Sequence, residues 1–437
     1  MTRRQFAAIA GLGLAAPKLG WSQAPRSDVD FTVRISEIEV DLGFGHAVKT
    51  LAYNGQVPGP LLRMTEGKRV TVDVVNQTRN PEMLHWHGFH IPPEVDGAHE
   101  EGTPMVQNDD HRLYSFIPQP SGTRWYHTHA MAGHNLLKGT YTGQFGIVVV
   151  EPKSDPARYD LEVPIIIHEW DPYFSADNDM DVNYRVFSIN GKMLGAGEPI
   201  RVKQSQRVLF RILNASATMY HRLALPGHTF SVVALDGNPV SVVQNVPVLD
   251  LAQGERVDAI VEMNTPGVWT FGELDSFQRL AGAGIVVEYA GTKGEPQWNS
   301  PPEFVWDYTS FGGHAAAPQP DARIPIVIEP GKDGYMWALN GKSYPHTDDI
   351  ILRSGGRNRL VFDNRSQMDH PVHLHRHTFE LVSYAGKPSS GVQKDVLIVP
   401  THSTVEVDVM AKSPGPSLFH CHQQFHMDFG FMAVMQY

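Results

Sequence analysis

After residue 28 apolar β-branched residues alternate with polar ones in short runs, such as Val70-Thr71-Val72-Asp73-Val74, and clusters of Gly, Pro and Asn separate the runs. Alternation with a period of two marks strands that bury one face, as in a sandwich or barrel. A repeat organises these runs. Asn54-Gly55, Asn190-Gly191 and Asn340-Gly341 read as equivalent hairpin turns, and each precedes two arginines six apart: Arg63 and Arg69, Arg201 and Arg207, Arg353 and Arg359. A strand then leads to Asn76, Asn214 or Asn364. Downstream, His221–Phe230 aligns with His370–Phe379, and His85-Trp86-His87 falls over His373-Leu374-His375. Gly122, Gly267 and Gly415 each stand five residues before a key position. The expectation is an all-β chain of three homologous domains of about 120–140 residues, at residues 29–153, 159–290 and 300–437.

Composition narrows the partners. The chain has 437 residues, with 36 Lys and Arg against 47 Asp and Glu, a net charge of −11. No cationic surplus exists to neutralise phosphates, so nucleic acids are excluded as partners and an anionic membrane surface is disfavoured. The single cysteine rules out internal disulfides. At the N-terminus Arg3-Arg4, an apolar stretch from Ala7 to Ala16 and Ser22-Gln23-Ala24 are the parts of a twin-arginine export signal, expected over residues 1–24. The stretch is too short and Gly-rich to remain as a membrane anchor. The twin-arginine export machinery is thus an expected partner, and the expected location is periplasmic or secreted.

The histidines carry the chemistry. Residues i and i+2 of a strand share a face, so each His-x-His aims two imidazoles into one site. Four such pairs occur: His85 and His87, His127 and His129, His373 and His375, His420 and His422. All lie in the first and third copies; at the matching positions the middle copy has Ala224, Pro226, Gly272 and Leu274. The same strands evidently pack without histidine, which points to one cluster of metal ions shared between two domains. Cys421, between His420 and His422, faces the other side of its strand, where His370 and His426 can approach its sulfur. Two His and one thiolate are the trigonal set of a blue-copper centre; zinc also accepts Cys and His, but a structural zinc site usually wants a fourth ligand.

In order and spacing, His85-Trp-His, His127-Thr-His, His370-Pro-Val-His-Leu-His and His420-Cys-His-x3-His426 resemble the four copper motifs of the three-domain multicopper oxidases, the laccase-like proteins. The resemblance implies three consecutive cupredoxin-like Greek-key β-sandwich or barrel domains and four copper ions. It implies type 1 copper on His370, Cys421 and His426, and type 2 copper on His85 and His373. The type 3 pair would sit on His87, His127 and His422 and on His129, His375 and His420. A small-molecule reductant would give single electrons to the type 1 site, Cys421 would pass them to His420 and His422, and dioxygen would become two waters. In this family an Asp of an Asp-Gly turn after the first motif supplies protons. Asp96, nine residues after His87, resembles it, though an ordinary turn aspartate would look the same.

The chain also departs from the family pattern. The axial position beside the type 1 copper is Phe431, which cannot ligate and should favour Cu(I) and a higher potential; Met432, one residue on, should face away. Where relatives often carry an acid just before the last type 1 histidine stands Phe425, preceded by Gln424. Met427, Met432 and Met435 are expected to cluster near the type 1 site, and Arg376 has no account in the sequence. His228 and His377, at equivalent repeat positions, should be structural. The leading expectation is a laccase-type oxidase of phenolic or aromatic donors. A periplasmic cuprous or ferrous ion oxidase is the alternative, to be favoured by acidic or Met residues over the type 1 site. A binding or assembly protein would have lost ligands, and all are present; two-domain nitrite reductases lack four such pairs.

Overall fold

The computed structural model describes residues 28–154, 158–176, 181–332 and 334–437. Residues 1–24, with the expected export signal, lie outside the described residues.

The alternating runs form strands. Val70, Val72 and Val74 point into the core of the strand Val70–Asn76 while Thr71 is half-buried. Asp73 breaks the pattern, since it is buried under His111, whose Nδ1 donates to it at 2.8 Å. Each domain consists of two sheets. In the first, His46–Tyr53, Phe31–Gly43, Val70–Asn76 and Asp110–Phe116 form one sheet, and Leu62–Thr65, Phe145–Glu151, Gly122–Thr128 and Leu84–His87 the other. The middle domain has sheets of six and five strands, the third of seven and five.

The repeat is visible in the hydrogen bonds. Asn54, Asn190 and Asn340 adopt φ of 53°, 52° and 51°, each followed by a glycine at positive φ, as a type I′ turn requires. Each asparagine straps its turn to a neighbouring strand by accepting from the amide of Arg34, Ile166 or Val327. Asn76 and Asn214 each donate to two carbonyls and Asn364 to three, and each accepts from the amide two residues on. His228 and His377 are a matched pair of latches: each engages the carbonyl two residues back and a tyrosine hydroxyl, Tyr289 at 2.6 Å or Tyr437 at 2.8 Å. Their role is structural, as expected.

Strand register is also shared. His85 lies opposite His127 in the first copy, Ala224 opposite Gly272 in the second and His373 opposite His420 in the third. A short helix follows the last of these strands in two copies, Ser276–Leu280 and Gln424–Asp428. One apolar core runs through the middle and third sandwiches, and a second, with Trp125, Phe145, Ile166 and Trp170, joins the first to the middle. At that seam a side chain on Gly122 would lie 1.9 Å from the carbonyl oxygen of Gly237, so the two backbones touch.

Arg376, unexplained by the sequence, is a clamp between domains. Its guanidinium donates to the carbonyls of Ile91 in the first domain and of Ser413, Pro414, Gly415 and Pro416 in the third. Of the three methionines expected near the type 1 site, Met427 and Met432 pack with Ala98 and Leu418, while Met435 belongs to the core that also holds Cys421 and Phe431.

The middle copy puts Glu273 where the third has Cys421, opposite Leu223 rather than Val372, and keeps His221 where the third has His370. His221 is buried between Glu273, 3.0 Å from Nδ1, and Glu169, which bonds Nε2. Burial lowers the His221 pKa, but the two carboxylates outweigh it and raise it from 6.5 to about 9. This triad should stabilise the domain fully below pH 6.5 and lose its contribution as pH rises through 9. The thermal midpoint should therefore fall between pH 7 and 10. His221→Gln, which leaves two buried carboxylates without a cation, should cost about 3–5 kcal/mol in chemical denaturation.

Candidate metal centre

Four strand ends converge between the first and third domains. Leu84–His87 and Gly122–Thr128 bring His85, His87, His127 and His129, and His370–Leu374 and Ser417–Cys421 bring His373, His375, His420 and His422. All eight imidazoles are buried. Their rings pack at centroid distances such as 3.9 Å for His85 and His375 and 3.8 Å for His87 and His373.

One nitrogen of most rings is committed to the protein. Nδ1 of His85 donates to the Asp96 carbonyl at 2.9 Å, of His127 to Thr128 O at 2.7 Å, of His373 to Asp395 O at 2.7 Å and of His420 to Cys421 O at 2.9 Å. His375 Nδ1 donates to the Asp96 carboxylate at 2.8 Å. His87 is reversed: its Nε2 donates to Asp395 Oδ1 at 3.0 Å, which leaves Nδ1 facing inward. The free nitrogens then face one another as lone pairs. His375 Nε2 and His420 Nε2 are 3.0 Å apart, and His87 Nδ1 is 3.4 Å from His127 Nε2 and 3.3 Å from His422 Nε2. Nε2 of His85 and of His373 have no partner at all. Burial, reinforced by neighbouring histidines, lowers the pKa of His87, His127, His373, His375, His420 and His422, and that of His129 to about 3. They are neutral donors near neutral pH. Facing lone pairs that cannot be protonated call for cations between them. His129, His375 and His420 form one group with ligand atoms within 4.8 Å of one another; His85, His373 and His375 form a second, and His85, His87 and His127 a third.

The second set lies behind the strand. Cys421 Sγ is 3.8 Å from His370 Nδ1 and 3.5 Å from His426 Nδ1, and the two nitrogens are 3.1 Å apart. His370 Nε2 donates to Ser366 Oγ at 2.9 Å, which leaves Nδ1 its lone pair. Burial pushes the Cys421 thiol up and His370 down to about 3. Without a bound cation the site would hold a neutral thiol, and a soft metal is what makes the thiolate tenable. Trp337 packs on His370 and His426 at 4.3 and 4.6 Å, and the Phe431 ring stands 5.1 Å from His370. Met432 faces the opposite side, as its strand position predicts.

Asp96 is wholly buried, with Oδ2 also 3.1 Å from His85 Nδ1. Two further carboxylates were not signalled by the motifs. Glu101, with Oε1 3.4 Å from His375 Nδ1, accepts from the Leu418 amide, and burial and the Asp96 charge raise its pKa. Asp395 reaches His87 and His373, and its only trace in the sequence is a charged pair, Lys394-Asp395, at the head of an apolar strand. Gln424, the residue before Phe425, accepts from Thr140 and donates to Asp428 at 2.9 Å. A cavity of about 860 Å³ opens beside Met368, Asp369 and Pro371, which flank His370, and beside Gln423. Phe304, Trp306, Tyr220, Tyr308 and Tyr384 line it, with Asp250 and Arg222. The segment 300–320 therefore contributes to its wall.

Comparison with known proteins agrees with this geometry. Three multicopper oxidase family models match residues 34–155, 168–289 and 318–437. The multicopper oxidase MmcO of Mycobacterium tuberculosis is 30% identical, across 94% of this chain and 87% of its own. Copper resistance protein A of Pseudomonas syringae pv. tomato is 23% identical across 97% and 95%. A laccase from Botrytis aclada shares the fold, with a TM-score of 0.79 at 19% identity across 93% of this chain and 87% of that one. The architecture is thus all-β with three cupredoxin-like domains, and the chain belongs to the multicopper oxidases, copper-dependent oxidoreductases that use dioxygen as acceptor.

Proposed function

We propose that this protein is a laccase-type oxidase that takes single electrons from phenolic or aromatic donors and reduces dioxygen to two waters. The observation that carries the reading is the complete donor set, ten buried histidines and Cys421, in two groups joined through His420-Cys421-His422. In this reading His370, Cys421 and His426 hold the type 1 copper and His85 and His373 the type 2 copper. His87, His127 and His422 hold one type 3 ion, and His129, His375 and His420 the other, four ions in all. When bound, the coppers supply one-electron acceptance at the first site and dioxygen reduction at the second. The domains at 29–153 and 300–437 each give half of the cluster and 159–290 gives no ligand. Folded export through the twin-arginine route to the periplasm or beyond completes the reading; among the described residues no helix is long and apolar enough to cross a membrane.

The chain's own residues do the rest. The aromatic cavity beside His370 receives a planar donor by stacking and shape. Asp96 accepts the Nδ1–H of His375 at Oδ2, which orients that ring, and serves as the proton relay beside His85. Trp337 and Phe431 pack over His370 and would keep water from the sulfur, and the Phe431 ring carries no donor atom for a metal.

A second reading, oxidation of cuprous or ferrous ions, is favoured by one observation: Met368, Asp369 and Asp250 line the same cavity, a thioether and two carboxylates. Oxygen uptake by the copper-loaded protein separates the two. With a methoxyphenol, about four phenols should be consumed per dioxygen, and Cys421→Ser should abolish uptake. A fully loaded protein that ignores phenols and consumes oxygen with Cu(I) or Fe(II) would establish the second reading instead.

Two variants probe the roles. Phe431→Met should lower the type 1 reduction potential by ~60 mV or more, a tenfold change in one-electron affinity, measured by redox titration of the blue absorption. Asp96→Asn should keep the copper content and cut kcat about 100-fold, with the loss deepening as pH rises and bulk protons become scarce, read in a pH profile of oxygen uptake.

A further inference from the structure

The middle domain supplies no histidine to the cluster, yet one of its side chains reaches the cluster's edge. Arg256 is fully buried, and its guanidinium binds Asp395 as a fork, Nη1 to Oδ1 at 2.6 Å and Nη2 to Oδ2 at 2.7 Å. Asp395 belongs to the third domain and accepts from Nε2 of His87, in the first. One carboxylate therefore joins all three domains at a ring of the cluster.

The surroundings are shaped for this contact. A Cβ on Gly88, directly after His87, would come within 2.6 Å of Arg256 Nη2 and 2.8 Å of Asp395 Oδ2, so a hydrogen is all that fits. Gly254, two residues before Arg256, is equally confined by the His422 ring, since a Cβ there would come within 2.7 Å of its Cδ2 and Nε2. Arg256 is itself fixed by the carbonyls of Gly254 and Asp236, at 3.1 Å each. Asp236 also accepts the amides of Asp395 and Val396 at 3.1 Å and the ammonium of Lys394 at 2.9 Å. The backbone that carries Asp395 is thus held by the middle domain as firmly as its side chain.

The hydrogen bond to Asp395 decides which nitrogen of His87 keeps the proton. With Nε2–H committed, Nδ1 is the lone pair that faces His127 and His422. His87 alone among the rings with an assigned partner turns Nδ1 inward, and Asp395 is the group that imposes it. We propose that Arg256 is a positioning residue for the trinuclear site: by orienting Asp395 it holds His87 in the Nε2–H tautomer. The inference rests on the copper assignment proposed above.

The test uses the exported, copper-loaded protein and three variants, Arg256→Lys, Arg256→Met and Asp395→Asn. The type 1 blue absorption serves as an internal control, because His370, Cys421 and His426 do not touch this network. Arg256→Met should retain the blue absorption and lose 10-fold or more in affinity for the remaining coppers, with altered type 2 electron paramagnetic resonance. kcat should fall with the KM for the phenol unchanged. Arg256→Lys, which keeps the charge but not the fork, should shift the type 2 spectrum at full copper content. Asp395→Asn, which keeps an acceptor for Nε2–H, should fall between them. Wild-type copper content and an unaltered type 2 spectrum in Arg256→Lys and Asp395→Asn overturn the proposal, even where Arg256→Met fails to fold. If the unmutated protein itself shows no type 2 or type 3 copper, the copper assignment fails instead.

Discussion

The structure depends on holding lone pairs against one another in a dry interior. Each imidazole of the cluster with an assigned partner gives one N–H to a carbonyl or carboxylate and leaves its other nitrogen as a lone pair within the cluster. Burial lowers the pKa of His87, His127, His373, His375 and His420, so protonation does not relieve the contacts among them. The repulsion is tolerable only if the backs of the rings are fixed and the fronts are offered to a cation. That requirement explains why so many buried charges lie behind the histidines and why no single domain holds them all.

The repeat meets this requirement economically. One strand register, used three times, places residue pairs at the same spot in each sandwich. Two copies spend that spot on histidine. The middle copy fills its counterpart of the cysteine site with a carboxylate, an imidazole and another carboxylate, so that a proton supplies the positive centre there. Two of its arginines, Arg211 and Arg256, reach across the seams to Thr123 of the first domain and Asp395 of the third.

What the sequence made legible follows from short-range geometry. The strands, the three copies and the His-x-His pairs all rest on spacings of two residues or on recurring landmarks such as Asn214 and Asn364. Asp96 was readable because the Asp-Gly turn lies close to the ligands in the chain. Glu101, Asp395 and Arg256 were not, because their importance arises only when domains dock: Arg256 and His87 are far apart in sequence and meet through a third residue. Arg376 was opaque for the same reason, since its five acceptor carbonyls sit on two domains.

Cys421 is the chain's single thiol, and it is completely buried. A thiol reagent can therefore modify a molecule only when the third sandwich has opened around Ser417–Cys421, and one label per chain is the most that can attach. The same sulfur that serves electron entry is thus a native clock for local opening, readable without any introduced probe. Its labelling rate, with and without copper, would report how far the metal itself locks that sandwich shut.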